Sequence, residues 1–190
     1  MNAVRRQGMT GLLHGRLADL RAGLHTCPDR RAIRIGLAAL AIHLILTGFI
    51  GFGSRFMHLA PLQAPVWLAA LLPVTLLVFP SLLEELFFRG VLIPHPSRAV
   101  SMRDRYTMVA LSTVAFVLWH PLNALTINTT AAGLFTDMRF LAIVVVLGIA
   151  CGIAYAETGV IWIPVAIHWI SVLLWVFFFG GRNELLRVLR

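Results

Sequence analysis

Residues 35–54 read IGLAALAIHLILTGFIGFGS, a run of twenty residues without a charged side chain. Four further stretches of the 190-residue chain also lack Asp, Glu, Lys and Arg, namely 56–83, 106–136, 140–156 and 158–181. A helix crosses the hydrocarbon core of a bilayer with about 20 mostly apolar residues. The pattern therefore predicts an all-α fold, a polytopic bundle of about five transmembrane helices.

The overall composition excludes a soluble globular protein. The chain is 59% hydrophobic and 13% charged, and its mean hydropathy is +0.85, whereas a soluble domain is about 25% charged. The net charge of +8 comes from sixteen Arg, with no Lys, against eight acidic residues. Seven of these Arg precede the first predicted span. We interpret the charge as a determinant of membrane topology, and we exclude nucleic acid as a partner because its binding needs basic residues on a folded face.

The chain divides into three predicted segments: a basic N-terminal segment 1–34, a membrane domain 35–181 and a tail 182–190. Leucines at helical spacing predict an amphipathic helix on the membrane surface within 1–34. The predicted spans are 35–52, 66–93, 107–120, 140–155 and 160–179. A cytosolic N-terminus places ten Arg inside and five outside, as the positive-inside rule favours. We expect an integral protein of a bacterial inner membrane with this orientation, although three of the five outer Arg lie in the tail.

Few ionisable side chains fall within the predicted spans: His43, Glu84, Glu85, Arg89, His120 and His168. Such groups are costly in a membrane and mark functional sites. Counted from loops at one end, Glu84, His120 and His168 lie roughly 14–21 Å deep, near the middle of a core about 30 Å thick. The i, i+4 spacing of Glu85 and Arg89 predicts an ion pair. A capping box from Ser81 to Glu84 is the alternative interpretation of that carboxylate, and His43 is interpreted as a buried, hydrogen-bonded histidine.

Three motifs along the chain together resemble one known family. The run from Glu84 to Arg89 (EELFFR) resembles the EExxxR motif of the CPBP intramembrane proteases, also called the CAAX protease or Abi family. Phe116 to His120 is similar to the FxxxH motif, and the stretch from Gly148 to His168 resembles the helix–turn–helix that leads to the third motif. The resemblance covers about 80–172, which we expect to form the core of the domain.

The resemblance implies endopeptidase activity within the membrane, on a peptide or lipidated-peptide substrate held in the bilayer. It implies that Glu84 activates water, that Glu85 supports it through Arg89, and that His120 and His168 bind the water or stabilise the oxyanion. A glutamate-dependent mechanism without a cofactor is favoured over a metal-dependent one. The set of Glu84, His120, His168 and water is nevertheless also a legitimate zinc site, so zinc stays open.

One departure from the family pattern leaves the function open. The third motif usually reads HxxxN, but Val172 follows His168 at the fourth position. Asn123 and, more weakly, Ser171 are the alternative oxyanion or supporting donors. The departure motivates a second hypothesis, a weak or inactive family member that acts as a membrane binding or immunity partner. A proton or cation pathway is a third, because Glu and His also line such paths.

Overall fold

Four of the helices extend beyond the charge-free stretches that predict them, and the last helix lies within its stretch, 158–181. The computed structural model describes the backbone of residues 2–181 and 183, and the side chains of residues 14–181 and 183. The helices are α1 (Asn2–His25), α2 (Arg30–Gly53), α3 (Val66–Val91), α4 (Met102–Thr126), α5 (Ala132–Phe135), α6 (Met138–Thr158) and α7 (Trp162–Phe178). A 3₁₀ turn, Thr129–Ala131, precedes α5.

Helices α2, α3, α4 and α6 are long and apolar enough to cross a bilayer, and α7 is a shorter apolar helix of 17 residues. The all-α membrane bundle is thereby confirmed. Three of the helices begin earlier than predicted because a polar side chain caps each one. Asp29 accepts a hydrogen bond from the backbone N–H of Ala32, Ser101 from that of Asp104, and Asp137 from that of Arg139. Such caps satisfy backbone donors that a helix start leaves unpaired.

The bundle carries apolar side chains outside and several polar ones inside. Phe49, Val66 and Leu125 are among the most exposed large side chains, at 81%, 86% and 73%. Arg89 and Glu85, by contrast, are completely buried. This distribution suits a protein whose outer surface meets lipid, because lipid imposes no cost on exposed apolar surface and a high cost on exposed charge.

Helix α3 is broken in its middle, and the break sets the position of the first motif. Phe79 has extended backbone angles, φ −122° and ψ 117°, as expected of a residue that precedes a proline. The helix resumes at Pro80, a residue that suits the first helical position because it lacks a backbone N–H. Glu84 and Glu85 therefore lie in the first turns of the second half of α3, inside the bundle.

The loops from which the depths of the site residues are counted do meet at one end of the bundle. Glu157, at the end of α6, forms a 3.2 Å ion pair with Arg31 of α2 and accepts a hydrogen bond from the hydroxyl of Tyr106 in α4. Nearby, Gly159 has a left-handed φ of 67° and ends α6. The start of α2, the start of α4 and the end of α6 therefore lie at the same end of the bundle.

The predicted helix of segment 1–34 is present as α1, and its described half packs against the protein. Asp19 is buried and forms a 3.3 Å ion pair with Arg98 of the loop between α3 and α4. The backbone carbonyl of Gly23 accepts a hydrogen bond from the N–H of Ile161. These contacts join α1 to the same end of the bundle. The tail predicted at 182–190 lies, apart from Asn183, outside the described residues.

Candidate active site

An ion pair between Glu85 and Arg89 forms the buried centre of the site. Arg89 donates to Glu85 Oε1 at 2.8 Å, as the i, i+4 spacing predicts, and to the backbone carbonyl of Gly148 at 3.1 Å. Its guanidinium also lies 4.5 Å from the ring centre of Phe116. Both charged side chains are fully buried. A buried charge is tolerated only when it is paired and hydrogen-bonded, so this pair ties the first motif to α4 and α6.

His168 connects the buried pair to the second carboxylate. Its Nδ1 lies 2.8 Å from Glu85 Oε1, the same oxygen that Arg89 contacts. Its Nε2 lies 4.0 Å from Glu84 Oε2. Because an ionised carboxylate only accepts hydrogen bonds, Nδ1 carries the proton, and Nε2 of the neutral ring presents a lone pair towards Glu84. The two adjacent glutamates thus contact opposite nitrogens of one imidazole.

His120 is held by its own helix. Its Nδ1 lies 2.9 Å from the backbone carbonyl of Phe116, one turn earlier in α4. A carbonyl oxygen only accepts, so Nδ1 is again the protonated nitrogen, and Nε2 is the acceptor of the neutral ring. The rings of His120 and His168 both pack edge-to-face on Phe116. Phe116, the first residue of the FxxxH motif, therefore fixes both imidazoles.

Glu84, His120 and His168 line one cavity of about 450 Å³, as their common depth predicts. Its walls are otherwise mostly apolar, and include Phe135, Phe140 and Trp175. Ligand pockets typically measure roughly 300–1,000 Å³ and combine apolar walls with a few convergent polar groups. Glu84 Oε2 is buried without a hydrogen-bond partner in the described residues. The cavity therefore contains an unsatisfied carboxylate oxygen close to two imidazoles.

A second cavity lies on the other side of Glu84. Its lining includes Glu84 together with Trp119, Asn123 and Phe87. Asn123 Oδ1 is buried without a described partner, so the amide proposed as an alternative donor lies beside the glutamate. Ser171, the weaker alternative, lines the first cavity, but its hydroxyl donates to the backbone carbonyl of Ile167 at 2.6 Å. That hydroxyl is already engaged within its own helix.

The capping interpretation of Glu84 is wrong. The hydroxyl of Ser81 donates to the carbonyl of Leu76 at 2.8 Å, and no side-chain cap is present at this helix start. The regular helical partner of the Leu76 carbonyl would be the N–H of residue 80, which is a proline and has none. Ser81 satisfies that carbonyl, and Glu84 is left to face the cavities.

The described side chains do not form a metal-binding group. Among residues 14–181 and 183, no three His, Cys, Asp or Glu side chains lie close enough together to hold a metal ion. Zinc needs at least three such ligands in a catalytic site. The set of Glu84, His120 and His168 therefore does not fit the geometry of a zinc site in this arrangement.

His43 lines the same cavity, which its sequence context did not predict. It is buried, and its Nδ1 lies 3.3 Å from the hydroxyl of Thr47, so the predicted hydrogen-bonded histidine is present. Its Nε2 is buried without a described partner. The signal available in the sequence was its depth, which is similar to that of the motif histidines. His43 matches none of the three motifs, so the sequence alone does not assign it to the site.

Comparison with known proteins identifies a family for the larger part of the chain. The model for the type II CAAX prenyl endopeptidase Rce1-like family matches residues 65–174, which is more than half of the sequence. The matched range contains Glu84, Glu85, Arg89, His120 and His168. No curated protein and no solved structure matches the chain.

Proposed function

Since the chain belongs to the Rce1-like family of type II CAAX prenyl endopeptidases, we propose that it hydrolyses a peptide bond in the membrane with Glu84 as the general base. One observation carries the proposal: the unpartnered oxygen of Glu84 lies 4.0 Å from His168 Nε2 in a cavity of mostly apolar lining. A general base needs a free acceptor oxygen within reach of its proton source, directly or through one water.

The distance between these two acceptors suits a bridging water. An oxygen and a nitrogen that both accept cannot bond each other, but one water can donate a hydrogen to each. His120 Nε2 is also an acceptor in the neutral ring, and because a water has two hydrogens, this nitrogen can replace one of these two acceptors but cannot add a third bond of this kind. A water held in this way keeps its oxygen lone pairs for attack on a carbonyl carbon. The tautomers of both motif histidines thus favour water binding over donation to an oxyanion.

Hydrolysis then follows with protons and electrons in balance. Glu84 takes one proton from the water as the water oxygen bonds to the carbonyl carbon, and the carbonyl electron pair moves to its oxygen. The tetrahedral intermediate collapses as the C–N bond breaks, and Glu84 returns the proton to the leaving nitrogen. Glu85 accepts hydrogen bonds from both Arg89 and His168. Its part is to hold His168 in the orientation that water binding needs.

The substrate class follows from the family and from the apolar cavity walls. We propose a peptide that carries a prenyl or comparable lipid chain, with the peptide near Glu84 and the chain against apolar wall residues such as Phe140 and Leu147. We also propose that the protein lies in a bacterial inner membrane with its N-terminus in the cytosol. On that orientation, the end that holds Glu157 and Gly159 faces the cytosol.

The test is cleavage of a fluorogenic farnesylated CAAX peptide by the full chain in lipid nanodiscs. We expect Glu84→Gln to lower kcat by at least about 10³-fold, because removal of the base leaves water unactivated. The matched control is Glu157→Gln, which changes a carboxylate at the end of α6, outside the cavity lining, and is expected to retain turnover. A Glu84→Gln protein that folds normally and cleaves at the wild-type rate would refute the proposal.

The cofactor question has its own measurement. We propose a glutamate-dependent reaction, so turnover is expected to persist in strong chelator, and purified protein is expected to contain no stoichiometric zinc by elemental analysis. Loss of turnover in chelator, followed by recovery with zinc and not with calcium, would instead assign the reaction to a metal.

The alternative function, a weak or inactive family member that acts as a membrane binding or immunity partner, is favoured by Val172. This residue lines the cavity where the family pattern has an amide. We expect Val172→Asn to raise kcat if the natural chain is a weakened enzyme. Absence of turnover in both forms, together with a stable membrane partner that binds wild type and Glu84→Gln equally, would favour the partner function.

A further inference from the structure

We propose that His43 is a third histidine of the active site, and that its Nε2–H donates to the carbonyl oxygen of the scissile bond. The inference rests on the proposed function. His43 comes from α2, outside the family match at residues 65–174. It lines the cavity that also contains Glu84, His120 and His168.

The packing of α2 directs His43 to the interior. The buried residues of α2 are Ala32, Gly36, His43, Thr47 and Gly51, which fall on one face at helical spacing. A methyl group added at Gly36 would approach the Ile163 side chain to 2.8 Å, so α2 lies close against α7 there. His43 is seven residues, or about two turns, further along the same face, and 1% of its surface is exposed. Its imidazole is therefore fixed against the elements that carry the motifs.

We assign the proton of the neutral His43 ring to Nε2 from the hydrogen bond between Nδ1 and Thr47, with the hydroxyl as the donor. Thr47 Oγ1 lies 3.3 Å from Nδ1, and this is the bond that the described structure gives to that hydroxyl. A hydroxyl can donate to a ring nitrogen that has a lone pair. When Thr47 donates to Nδ1, the neutral ring is protonated at Nε2. The buried, unpartnered Nε2 is then a donor without an acceptor, which is costly unless a ligand supplies one.

The three imidazoles thus differ in what they present to the cavity. His120 and His168 use Nδ1–H on Phe116 and Glu85 and present acceptors, which suit water. His43 uses Nδ1 as an acceptor and presents a donor, which suits a developing oxyanion. The position where the family pattern has a donor amide is Val172, which lines the same cavity and cannot donate. His43 therefore supplies the one kind of group that the motif residues lack.

The first test is kinetic and uses the farnesylated CAAX peptide with the full chain in nanodiscs. Loss of one oxyanion donor lowers kcat by roughly 10²–10³-fold, so we expect that loss for His43→Leu with KM changed by less than about threefold. His43→Gln keeps an N–H donor and is expected to recover at least about tenfold over Leu. The matched control is His58→Leu, at an exposed histidine after α2. Turnover of His43→Leu at the wild-type level, or of His43→Gln as low as Leu, would overturn the proposal.

Thr47 provides a second variant that leaves the imidazole in place. Thr47→Val removes the hydroxyl that sets the tautomer, and Thr47→Ser keeps it. We expect kcat to fall about tenfold or more in the valine variant and to stay near wild type in the serine variant. Equal kcat in both variants would contradict the tautomer on which the donor role depends.

A binding measurement decides the question without turnover. A phosphinate analogue of the same farnesylated peptide mimics the tetrahedral intermediate, and a ketomethylene analogue mimics the ground state. Because a catalytic donor binds the intermediate more strongly than the substrate, His43→Leu is expected to weaken the phosphinate by at least about tenfold and the ketomethylene little. Equal effects on both analogues would overturn the role of His43. If Glu84→Gln retains turnover, the proposed function fails, and this comparison still tests His43.

Discussion

Glu84 and Glu85 are adjacent in the chain and occupy opposite environments. Glu85 is fully buried, and one of its oxygens accepts from both Arg89 and His168. Glu84 keeps 17% of its side chain exposed and lines two cavities, neither of which includes Glu85 in its lining. Each carboxylate has one oxygen, Oε2, without a described partner, so the two residues differ in access to the cavities and in the cation beside Glu85. The helix turns by about 100° per residue, so neighbouring side chains face different surroundings. Glu85 is therefore held in a buried ion pair, whereas Glu84 faces the cavities in which the reaction is proposed to occur.

The comparison predicts that changes near Glu85 act on stability and changes near Glu84 act on turnover. Breaking a buried ion pair is costly because the remaining charge keeps its desolvation penalty. Replacing an unpartnered carboxylate with an amide leaves no charge stranded and costs little stability.

The largest effect on stability is expected for Arg89→Met. The variant keeps the length of the side chain but leaves Glu85 without its cation and Gly148 without its donor. We expect a loss of about 3–5 kcal/mol in the free energy of unfolding, because the pair is fully buried. Denaturant titration in detergent micelles measures it. Arg139→Met, which breaks the half-exposed pair with Asp137, is the control and is expected to cost far less stability than Arg89→Met. Similar losses of unfolding free energy in both variants would contradict the larger contribution expected of the buried pair.

A smaller loss is expected for Gly148→Ala, on the α6 side of the same network. The added methyl group would meet Thr113 Cγ2 at 2.8 Å and Phe116 Cδ1 at 3.4 Å. Thr113 is β-branched and stiff, so α6 must move from α4 and away from Arg89. Overpacking of this kind costs about 1–3 kcal/mol. Gly133→Ala, where a methyl group would meet nothing within 4 Å, is expected to be neutral or slightly stabilising. The measurement is the thermal unfolding temperature of the two variants. Equal unfolding temperatures for Gly148→Ala and Gly133→Ala would contradict the prediction.

The smallest effect is expected at a carboxylate outside the membrane spans. The side chain of Arg139 donates to Asp137 and holds the pKa of that carboxyl below its ordinary value. A lowered folded-state pKa contributes stability above the ordinary pKa, about 3.9 for Asp, and that contribution is lost as pH falls through the folded-state pKa. We expect Asp137→Asn to destabilise by up to about 1 kcal/mol at pH 7. The difference from wild type is expected to shrink as the pH falls below 4 or so. If the stability difference between wild type and Asp137→Asn stays constant as the pH falls, the effect does not come from the charge of Asp137.

The membrane helices could be predicted from the sequence because charge is excluded from each span. The common depth of Glu84, His120 and His168 could be predicted as well, because helical rise is regular and their loops share one end. The ion pair of Glu85 with Arg89 follows from spacing alone. These features depend on local geometry, which one sequence carries directly.

Features that depend on contacts between helices could not be predicted in this way. The capping role predicted for Ser81 was wrong because its hydroxyl instead donates to the carbonyl of Leu76, which Pro80 leaves without a backbone donor. The position of His43 in the cavity follows from the packing of α2 against α6 and α7. Its depth was visible in the sequence, but its direction was not. The contact of α1 with the bundle end likewise needs the tertiary arrangement of Asp19 and Arg98.

The central claim, that the two adjacent glutamates divide structure from chemistry, is tested most directly by comparing Glu84→Gln with Glu85→Gln. The measurement is turnover of the farnesylated CAAX peptide per folded molecule, with thermal unfolding recorded on the same nanodisc samples. We predict that Glu84→Gln unfolds like wild type and has lost turnover. We predict that Glu85→Gln unfolds at a lower temperature and that its folded fraction keeps more turnover than Glu84→Gln. The claim is contradicted if Glu84→Gln retains turnover, or if Glu85→Gln is the less active variant and unfolds like wild type.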